Sequence, residues 1–571
     1  MTKDISIVID GKNIKAQEGQ SILEAARASG IDIPSLCYHP DVDNRSSCRL
    51  CLVEIKGRKG LQTACSTKVE EGMEIVSESD KINEARKANL ELLFGEHRIE
   101  CFDCVLQNSC RLKQLAARLK ASMTKYPNRK TNYPTYQFGP ALIFDSSKCI
   151  DCGNCIDVCK KQGVCFLEKQ QKGDSFETMP SSNPKRDCIY CGQCLAHCPV
   201  GAFESVGEYE DIEKPFLLKD KTIIVQFAPA IRTSIGEEFG MMPGEVVTDK
   251  LVAAIRKLGV NKVFDVSVGA DFTTMEEAEE LVEKKKKGDT PCLSSCCPAW
   301  VKYVEFYHPE FVNHLATTRS PQVILGALIK TYFAKNEGID PKNIVVISIM
   351  PCTAKKYEIE REELKIDGLK PVDFVLTTRE LAMLFRRKGI DLKNIEPEPA
   401  DDPLGIPSGA GVIYGATGGV AESALRTAFF KMTGENLVKL DLEAVRGMDE
   451  IKVAEIEVKG EKFRIAVVTG TGNAAKLLEE LKQNPKAYDA IEVMACPGGC
   501  IGGGGQPLPN TPEKRKQRAE GLYQIDREKK LRLAHESPII KKVYDEFLNN
   551  EEIRHKLCHT KYFKKNKEVN P

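Results

Sequence analysis

The stretch CIDCGNCIDVC, residues 149–159, is followed by CIYCGQCLAHCP, residues 188–199, and both carry the spacing Cys-x2-Cys-x2-Cys-x3-Cys. Runs of this kind ligate 4Fe–4S cubes, and in a doubled run the fourth cysteine of each serves the other cube. Cys149, Cys152, Cys155 and Cys198 are therefore expected to bind one cube, and Cys188, Cys191, Cys194 and Cys159 the other. Gly153 and Gly192 fall at equivalent places, where the backbone must turn tightly. A structural zinc site leaves the doubled spacing unexplained. Cys165 fits neither run and reads as a buried small hydrophobe.

Two further cysteine groups precede this pair. ISIVIDGKNIKA places β-branched residues around an Asp-Gly turn, a hairpin signal, and SILEAARASG follows as a short helix closed by Gly30. Cys37, Cys48, Cys51 and Cys65 come next, with the apolar run LVEI directly after Cys51. A Cys-x2-Cys pair with two distant partners suits a plant-type 2Fe–2S cluster on a β-grasp domain, although the spacing departs in detail. Four thiolates are also a zinc set. HRIECFDCVLQNSC then supplies His97, Cys101, Cys104 and Cys110, which taken alone suit zinc or iron, His97 otherwise being a surface histidine. Their order resembles the N-terminal region of the large iron–sulfur subunit of respiratory complex I. That resemblance implies a 4Fe–4S cluster held by one histidine and three cysteines.

Bulk properties agree with a redox protein in a reducing compartment. The chain has 571 residues, enough for several domains, with 42% hydrophobic and 29% charged residues. Lys+Arg and Asp+Glu both number 82, which gives no basis for nucleic-acid binding. The opening MTKDISIVIDGKNIK lacks a signal-peptide core and no run reaches a membrane span, so a cytoplasmic protein without membrane insertion is expected. The 23 cysteines sit mostly in tight clusters, which points to metal or redox cofactors rather than disulfides.

After the charged linker GEYEDIEKPFLLKDK the pattern becomes α/β. TIIVQFAPA, KVFDVSVGAD, NIVVISIMPC, FRIAVVTG and DAIEVMACPGGC read as buried strands, with TTMEEAEELVEKKKK and NAAKLLEELKQ as helices between them. Ligand sites of such sheets collect at strand ends, and two of these runs terminate at cysteines. LSSCCPAW, residues 293–300, sits in a loop-like stretch and sets Cys296 beside Cys297; neighbouring side chains diverge, so one metal is not expected to take both.

SSCCPAW, MPCTAKKYE and EVMACPGGCIGGGGQP are similar to the three signature loops of the catalytic domain of FeFe hydrogenases, and the cluster order resembles the large monomeric clostridial type. The resemblance implies a multidomain α/β fold. A β-grasp 2Fe–2S ferredoxin-like domain would occupy 1–80 and the one-His, three-Cys 4Fe–4S domain 81–140. A bacterial 2×4Fe–4S ferredoxin-type domain would occupy 141–212, and a two-lobed α/β hydrogenase domain 213–571. It implies an H-cluster: a 4Fe–4S cube on Cys297, Cys352, Cys496 and Cys500, with Cys500 bridging to a two-iron subsite bearing carbon monoxide, cyanide and a dithiolate amine. Lys355 matches the lysine beside a cyanide, and Met350 and Met494 the methionines packed on the two-iron unit. Ala228, Pro229, Gln322 and Tyr414 are expected around the same cofactor, the tyrosine standing where Phe is more usual. The GGCIGGGGQP run is expected to let backbone amides approach the cofactor.

On that resemblance Cys296 is the proton-carrying thiol, with its acidity shifted toward neutral, and Glu277 and Glu280 match the carboxylates of the family's proton path. Two residues depart from the pattern. Ala316 stands where relatives carry a serine between the glutamates, leaving Thr317 or a water to substitute, and Ala354 stands where a hydroxyl is common. Without this context the glutamates read as a solvated helix face, and the lysines at 284–287 read as a solvated helix end. Cys292 and Cys558 match no ligand position and read as structural.

The implied reaction is the reversible interconversion of dihydrogen with protons and electrons, exchanged with ferredoxin or flavodoxin through one 2Fe–2S and three accessory 4Fe–4S clusters. Dedicated maturation proteins would supply the two-iron unit. An alternative keeps the chemistry but makes the chain the hydrogen-activating subunit of an electron-bifurcating complex. GAGVIYGATGG lacks a dinucleotide fingerprint, so flavin and NAD subunits would be partners. A non-catalytic sensor or iron–sulfur assembly protein would keep cube ligands and lose pocket residues.

Overall fold

The computed structural model describes residues 3–569 apart from 103, 108, 174, 208–219 and 459, so most of the linker read at 207–221 lies outside the described residues. The N-terminal hairpin forms as the sequence requires. β1 (Asp4–Ile9) and β2 (Lys12–Gln17) pair antiparallel across Asp10 and Gly11, both at positive φ, a turn that matches the strands' twist. β3 (Leu52–Ile55), β4 (Gln62–Thr63) and β5 (Glu74–Val76) complete a sheet of order β2-β1-β5-β3-β4. The helix Ile22–Ala28 is opened by a capping box between Ser21 and Glu24. A longer helix, Asp80–Glu96, is tied to this sheet by buried Arg86, whose guanidinium donates to the carbonyls of Leu52 and Ser77.

β6 (Thr135–Phe138) and β7 (Leu142–Asp145) pair with each other; β8 (Leu167–Lys172) and β9 (Ser175–Pro180) form a separate hairpin; β10 (Phe203–Ser205) closes back on β7. The two cysteine runs each lead into a short helix, Asn154–Lys161 and Gln193–Ala196, entered through Gly153 and Gly192 in the left-handed region. Cys165 is half-exposed at positive φ rather than buried: it follows the turn that ends the first run, its N–H donating to the Cys159 carbonyl.

The remainder is built on two four-stranded sheets. β11 (Thr222–Phe227), β12 (Lys262–Asp265), β14 (Ile344–Met350) and β15 (Phe374–Thr377) lie parallel in the order β12-β11-β14-β15. β13 (Cys292–Leu293), β16 (Ile451–Val458), β17 (Glu461–Thr469) and β18 (Ala490–Met494) take the order β13-β18-β17-β16. Three sequence expectations change in detail. Only the first half of KVFDVSVGAD is strand, because the Asp265 carboxylate accepts from Ser267 N at 2.9 Å and caps the helix Val266–Lys287. The Cys296–Cys297 stretch is no isolated loop: it joins β13 to the helix Pro298–Tyr307, which Cys297 caps. Lys284 and Lys285 are not solvated but half-buried, paired with Glu280 at 3.1 Å and Asp489 at 2.7 Å.

The cluster-bearing part and the two-sheet part meet through backbone. Gln193 Nε2 donates to the Gly502 carbonyl at 3.1 Å and Gln162 Nε2 to the Ala495 carbonyl at 2.9 Å. Gly192 and Gly504 face each other with no room for side chains. A Cβ on Gly504 would stand 2.6 Å from Gly192 Cα and 2.8 Å from the Cys191 carbonyl oxygen. Gly504→Ala should therefore cost about 1–3 kcal/mol through overpacking, read as a lower denaturation midpoint with unchanged cooperativity.

Candidate active site

The carboxyl ends of β11, β12, β13, β14 and β18 converge on one cavity of about 70 Å³. The structure brings to its wall nearly every residue expected there. Ala228 and Pro229 follow β11. Cys296 and Cys297 follow β13. Met350 ends β14, with Cys352 and Lys355 beyond it, and Met494 ends β18, with Cys496 and Cys500 beyond it. Gln322 and Tyr414 complete the wall.

All four thiols line the cavity; Cys352 and Cys496 are buried, and Cys297 and Cys500 are half-buried. Burial raises all four thiols, Cys352 to about 12. Thiols so placed ionise only against bound cations, and tetrathiolate geometry suits an iron–sulfur cube. The Gln322 side-chain oxygen is buried with no partner, a polar atom left for a ligand. These residues fit the H-cluster.

Lys355 is the cation of the wall. Burial opposes its charge, but Glu358 at 2.9 Å holds it above its ordinary value, and its ammonium also donates to the Cys296 carbonyl at 3.1 Å. Glu358 in turn accepts from Ser320 Oγ at 3.0 Å and Gln322 Nε2 at 2.5 Å. The glycine run has a different reason from the one expected. A Cβ on Gly502 would meet the Pro497 carbonyl oxygen at 2.0 Å, and one on Gly503 the Pro351 carbonyl oxygen at 2.0 Å. Backbone packed on backbone requires these glycines, apart from any approach to a cofactor.

Behind Cys296 lies the expected pair of carboxylates. Burial, and then the Glu277 charge, push the Cys296 thiol well above its ordinary value, opposite to the shift toward neutral expected from sequence. The thiol is thereby kept protonated. Burial followed by the charges of Glu280 and Glu492 raises Glu277 to about 8. Its Oε2 accepts from the Tyr414 hydroxyl at 3.4 Å, and its Oε1 has no partner. Ala316 is buried and borders a second cavity of about 50 Å³, shared with Glu277, Ser294 and Glu492. Thr317 does not fill that gap. Its N–H and hydroxyl donate to the Glu280 carboxylate, and its hydroxyl lies 2.8 Å from His559 Nδ1, on the outer side.

The other cysteine groups also assemble. Cys51 and Cys65 lie 3.2 Å apart, sulfur to sulfur, and Cys48 N lies 3.5 Å from Cys37 Sγ. His97, Cys101, Cys104 and Cys110 line one small cavity. His97 is buried rather than at the surface, with Nδ1 2.7 Å from the Lys148 carbonyl oxygen, leaving Nε2 for a ligand. Cys198 neighbours Cys149, Cys152 and Cys155, and Cys159 neighbours Cys188, Cys191 and Cys194, the crossed arrangement. Cys496 Sγ approaches the Cys191 carbonyl at 4.0 Å, so the second run lies against the main cavity. Cys558 is buried in the first sheet's core and Cys292 borders the second cavity.

Sequence reasoning missed Glu358, Glu492 and Ser294. Glu358 sits three residues after Lys355 on one helix face, a spacing that signals a pair. Glu492 is a carboxylate within a buried strand, a residue type seldom placed there without a task.

Comparison with known proteins follows the same division. The family "Iron only hydrogenase large subunit, C-terminal domain" matches residues 221–504, and "Iron hydrogenase small subunit" matches 512–565. A 2Fe–2S iron–sulfur cluster binding domain matches 2–80 and a 4Fe–4S dicluster domain 148–202. The NADP-reducing hydrogenase subunit HndD of Solidesulfovibrio fructosivorans is 41% identical over 98% of this chain and 99% of its own. Iron hydrogenase 1 of Clostridium pasteurianum is 38% identical over 98% of this chain and 100% of its own. Among solved structures, apo FeFe-hydrogenase HydA1 from Chlamydomonas reinhardtii aligns with a TM-score of 0.57 at 36% identity, covering 63% of this chain and 99% of that one.

The raised carboxyl of Glu277 fixes the sign of a pH effect. Its value moves from 4.5 to about 8, so between those limits the folded state keeps a proton that the unfolded chain has released, and stability falls as pH rises. Glu277→Gln removes that dependence. The denaturation midpoint of the variant should exceed that of the parent by a margin that grows from about pH 4.5 to about pH 8.

Proposed function

We propose the following division of labour for this chain, which belongs to the FeFe hydrogenase family and catalyses the reversible interconversion of dihydrogen with two protons and two electrons. Cys297, Cys352, Cys496 and Cys500 would hold the H-cluster in the cavity they line. When bound, the H-cluster supplies the metal centre at which the H–H bond is made or broken. The observation that carries this assignment is the convergence of these four thiols, the Lys355 ammonium and the Cys296 thiol on one enclosed cavity.

The chain's own residues then hold charge, exclude water and move protons. Lys355, oriented by Glu358, sets a positive charge against the anionic face of the cofactor. Met350, Met494, Ala228 and Pro229 keep that face dry. The Cys296 thiol, held protonated, exchanges its proton with Glu277, the only titratable group that both borders it and has a free carboxylate oxygen among the described residues. The cavity beside Ala316 takes over from the missing hydroxyl: its 50 Å³ exceeds the space one water occupies, and Glu277 Oε1, Ser294 Oγ and Glu492 offer partners. From there the proton reaches Glu280.

The second ferredoxin-type run meets the main cavity at the Cys191–Cys496 contact, so clusters held on its two sides would be neighbours for electron exchange. Cys37, Cys48, Cys51 and Cys65 hold the 2Fe–2S cluster; His97, Cys101, Cys104 and Cys110 hold a 4Fe–4S cluster; the crossed runs hold two more. The electron carrier is a ferredoxin or flavodoxin in the cytoplasm, and maturation proteins install the two-iron unit. A second reading, a subunit working with flavin and NAD-type partners, is favoured by the whole-length likeness to a relative named as a subunit of an NADP-reducing hydrogenase. The first reading expects hydrogen from reduced ferredoxin with the isolated, matured chain; the second expects it from a reduced nicotinamide once a co-purifying flavoprotein is present.

Cys296→Ala provides the test of the proton assignment. The variant should keep its iron content and its infrared carbonyl and cyanide bands, while hydrogen evolution falls at least about a hundredfold. Near-full turnover would remove Cys296 from the path.

A further inference from the structure

Glu280 is bonded by Lys284, Thr317 and Thr318, the Thr318 hydroxyl at 3.4 Å from Oε2. The Lys284 ammonium lies 3.1 Å from Oε1, and the Thr317 hydroxyl donates to Oε2 at 3.1 Å. An ammonium has three donors and no acceptor, so Lys284 clamps the carboxylate and offers no site for an incoming proton. A hydroxyl has one donor and two acceptor positions, so Thr317 can receive on one side while giving on the other. On that other side, 2.8 Å away, is His559 Nδ1, and His559 Nε2 stands 2.8 Å from Glu276 Oε2.

The alignment is built into the fold. The segment after the helix Glu551–Cys558 docks on residues 317–319 as an antiparallel strand would, with Arg319 N donating to the Cys558 carbonyl at 2.7 Å and Thr560 N to the Thr317 carbonyl at 2.8 Å. Arg319 Nε also donates to the His559 carbonyl at 2.7 Å. Glu276 is buried and its other oxygen accepts from the Tyr544 hydroxyl, which fixes the ring from behind. The His559 side chain is 15% exposed and its ring stacks on exposed His555 at 5.4 Å, so the array ends at solvent.

We propose that Thr317 and His559 form the outer leg of the proton route, carrying protons between Glu280 and solvent. This inference rests on the reading of Glu277 and Glu280 as the inner leg. In the outward direction a protonated Glu280 gives its proton to Thr317 Oγ1 as the threonine's own proton passes to His559 Nδ1. The imidazolium then releases the proton from Nε2, beside Glu276, to solvent, and a flip of the ring that returns its remaining N–H to the Glu276 side, together with rotation of the hydroxyl, resets the array. Only O–H and N–H bonds form and break, and the inward direction is the reverse. Histidine is the side chain suited to such exchange near neutral pH. The charged and titratable groups meeting its ring are Glu276 and His555; Tyr544 and Arg554 lie beside Glu276, Lys561 and Arg319 beside His555, and none of them replaces the Thr317 contact.

The test uses matured full-length enzyme. His559→Gln keeps hydrogen-bonding capacity but cannot carry a proton; hydrogen evolution should fall by about tenfold or more, with partial rescue by imidazole in solution. Thr317→Val should match it, and Thr317→Ser, which keeps the hydroxyl, should recover most of the rate lost in Thr317→Val. A readout apart from turnover is the infrared carboxylic-acid band of Glu280, identified by its loss in Glu280→Gln: its pH midpoint should shift in both His559→Gln and Thr317→Val. Parent turnover and an unshifted midpoint in His559→Gln would overturn the inference. Parent turnover in Glu280→Gln would instead overturn the inner path on which it rests.

Discussion

The Lys355–Glu358 pair is the interaction on which the rest of the site depends. Lys355 follows β14 of one sheet, and its ammonium reaches the carbonyl of Cys296, which follows β13 of the other. Glu358 gathers Ser320 and Gln322 from a third segment. One buried charge pair therefore registers both lobes around the cavity, and it does so at the loop that carries the proton-bearing thiol. Removing one member of such a pair costs about 3–5 kcal/mol because the other charge is left buried and alone. The geometry of proton delivery and the charge presented to the cofactor are consequently set by one contact.

A sealed cavity must be supplied with two kinds of particle, and the fold separates their approaches. Electrons come from the side of the ferredoxin-type runs, where Gly192 against Gly504 and Gln193 against Gly502 bring backbone to backbone. Close approach without side chains keeps the path between clusters short. The proposed proton route needs the reverse, a file of titratable side chains, and the helix Val266–Lys287 carries Glu276 and Glu277 side by side with Glu280 one turn on. The carboxylates differ because their surroundings differ: Glu277 is buried without a cation and is raised to about 8, while Glu276 is lowered because hydrogen bonds from His559 and Tyr544 outweigh its burial.

Much of this was legible in the residue string, and the legible part was local. Cluster ligands obey short spacings because one cube demands several thiolates from one turn of chain, so each run announces itself. The hairpin at Asp10–Gly11 and the capping box at Ser21 were equally local. What the string withheld depends on pairs brought together by the fold. Thr317 and His559 are separated by more than two hundred positions, and no periodicity predicts a C-terminal segment pairing with residues 317–319. The direction of the Cys296 shift was misjudged for a similar reason: it follows from the density of the surrounding wall and the position of Glu277, neither of which a motif contains.

The two alanines that break the family pattern are unequal in what the fold can do about them. At Ala316 the missing hydroxyl leaves a cavity with polar partners, and a water can stand where the side chain would have been. At Ala354 there is no such room: the residue is fully buried, and the neighbouring Thr353 hydroxyl is already committed to the Tyr190 carbonyl at 2.7 Å. What Cys352 keeps there is backbone: the N–H groups of Ala354 and Lys355 both bond toward its sulfur. The two departures therefore differ in kind: one leaves a space where a water has polar partners, and the other is closed over by the packing that commits Thr353 to Tyr190.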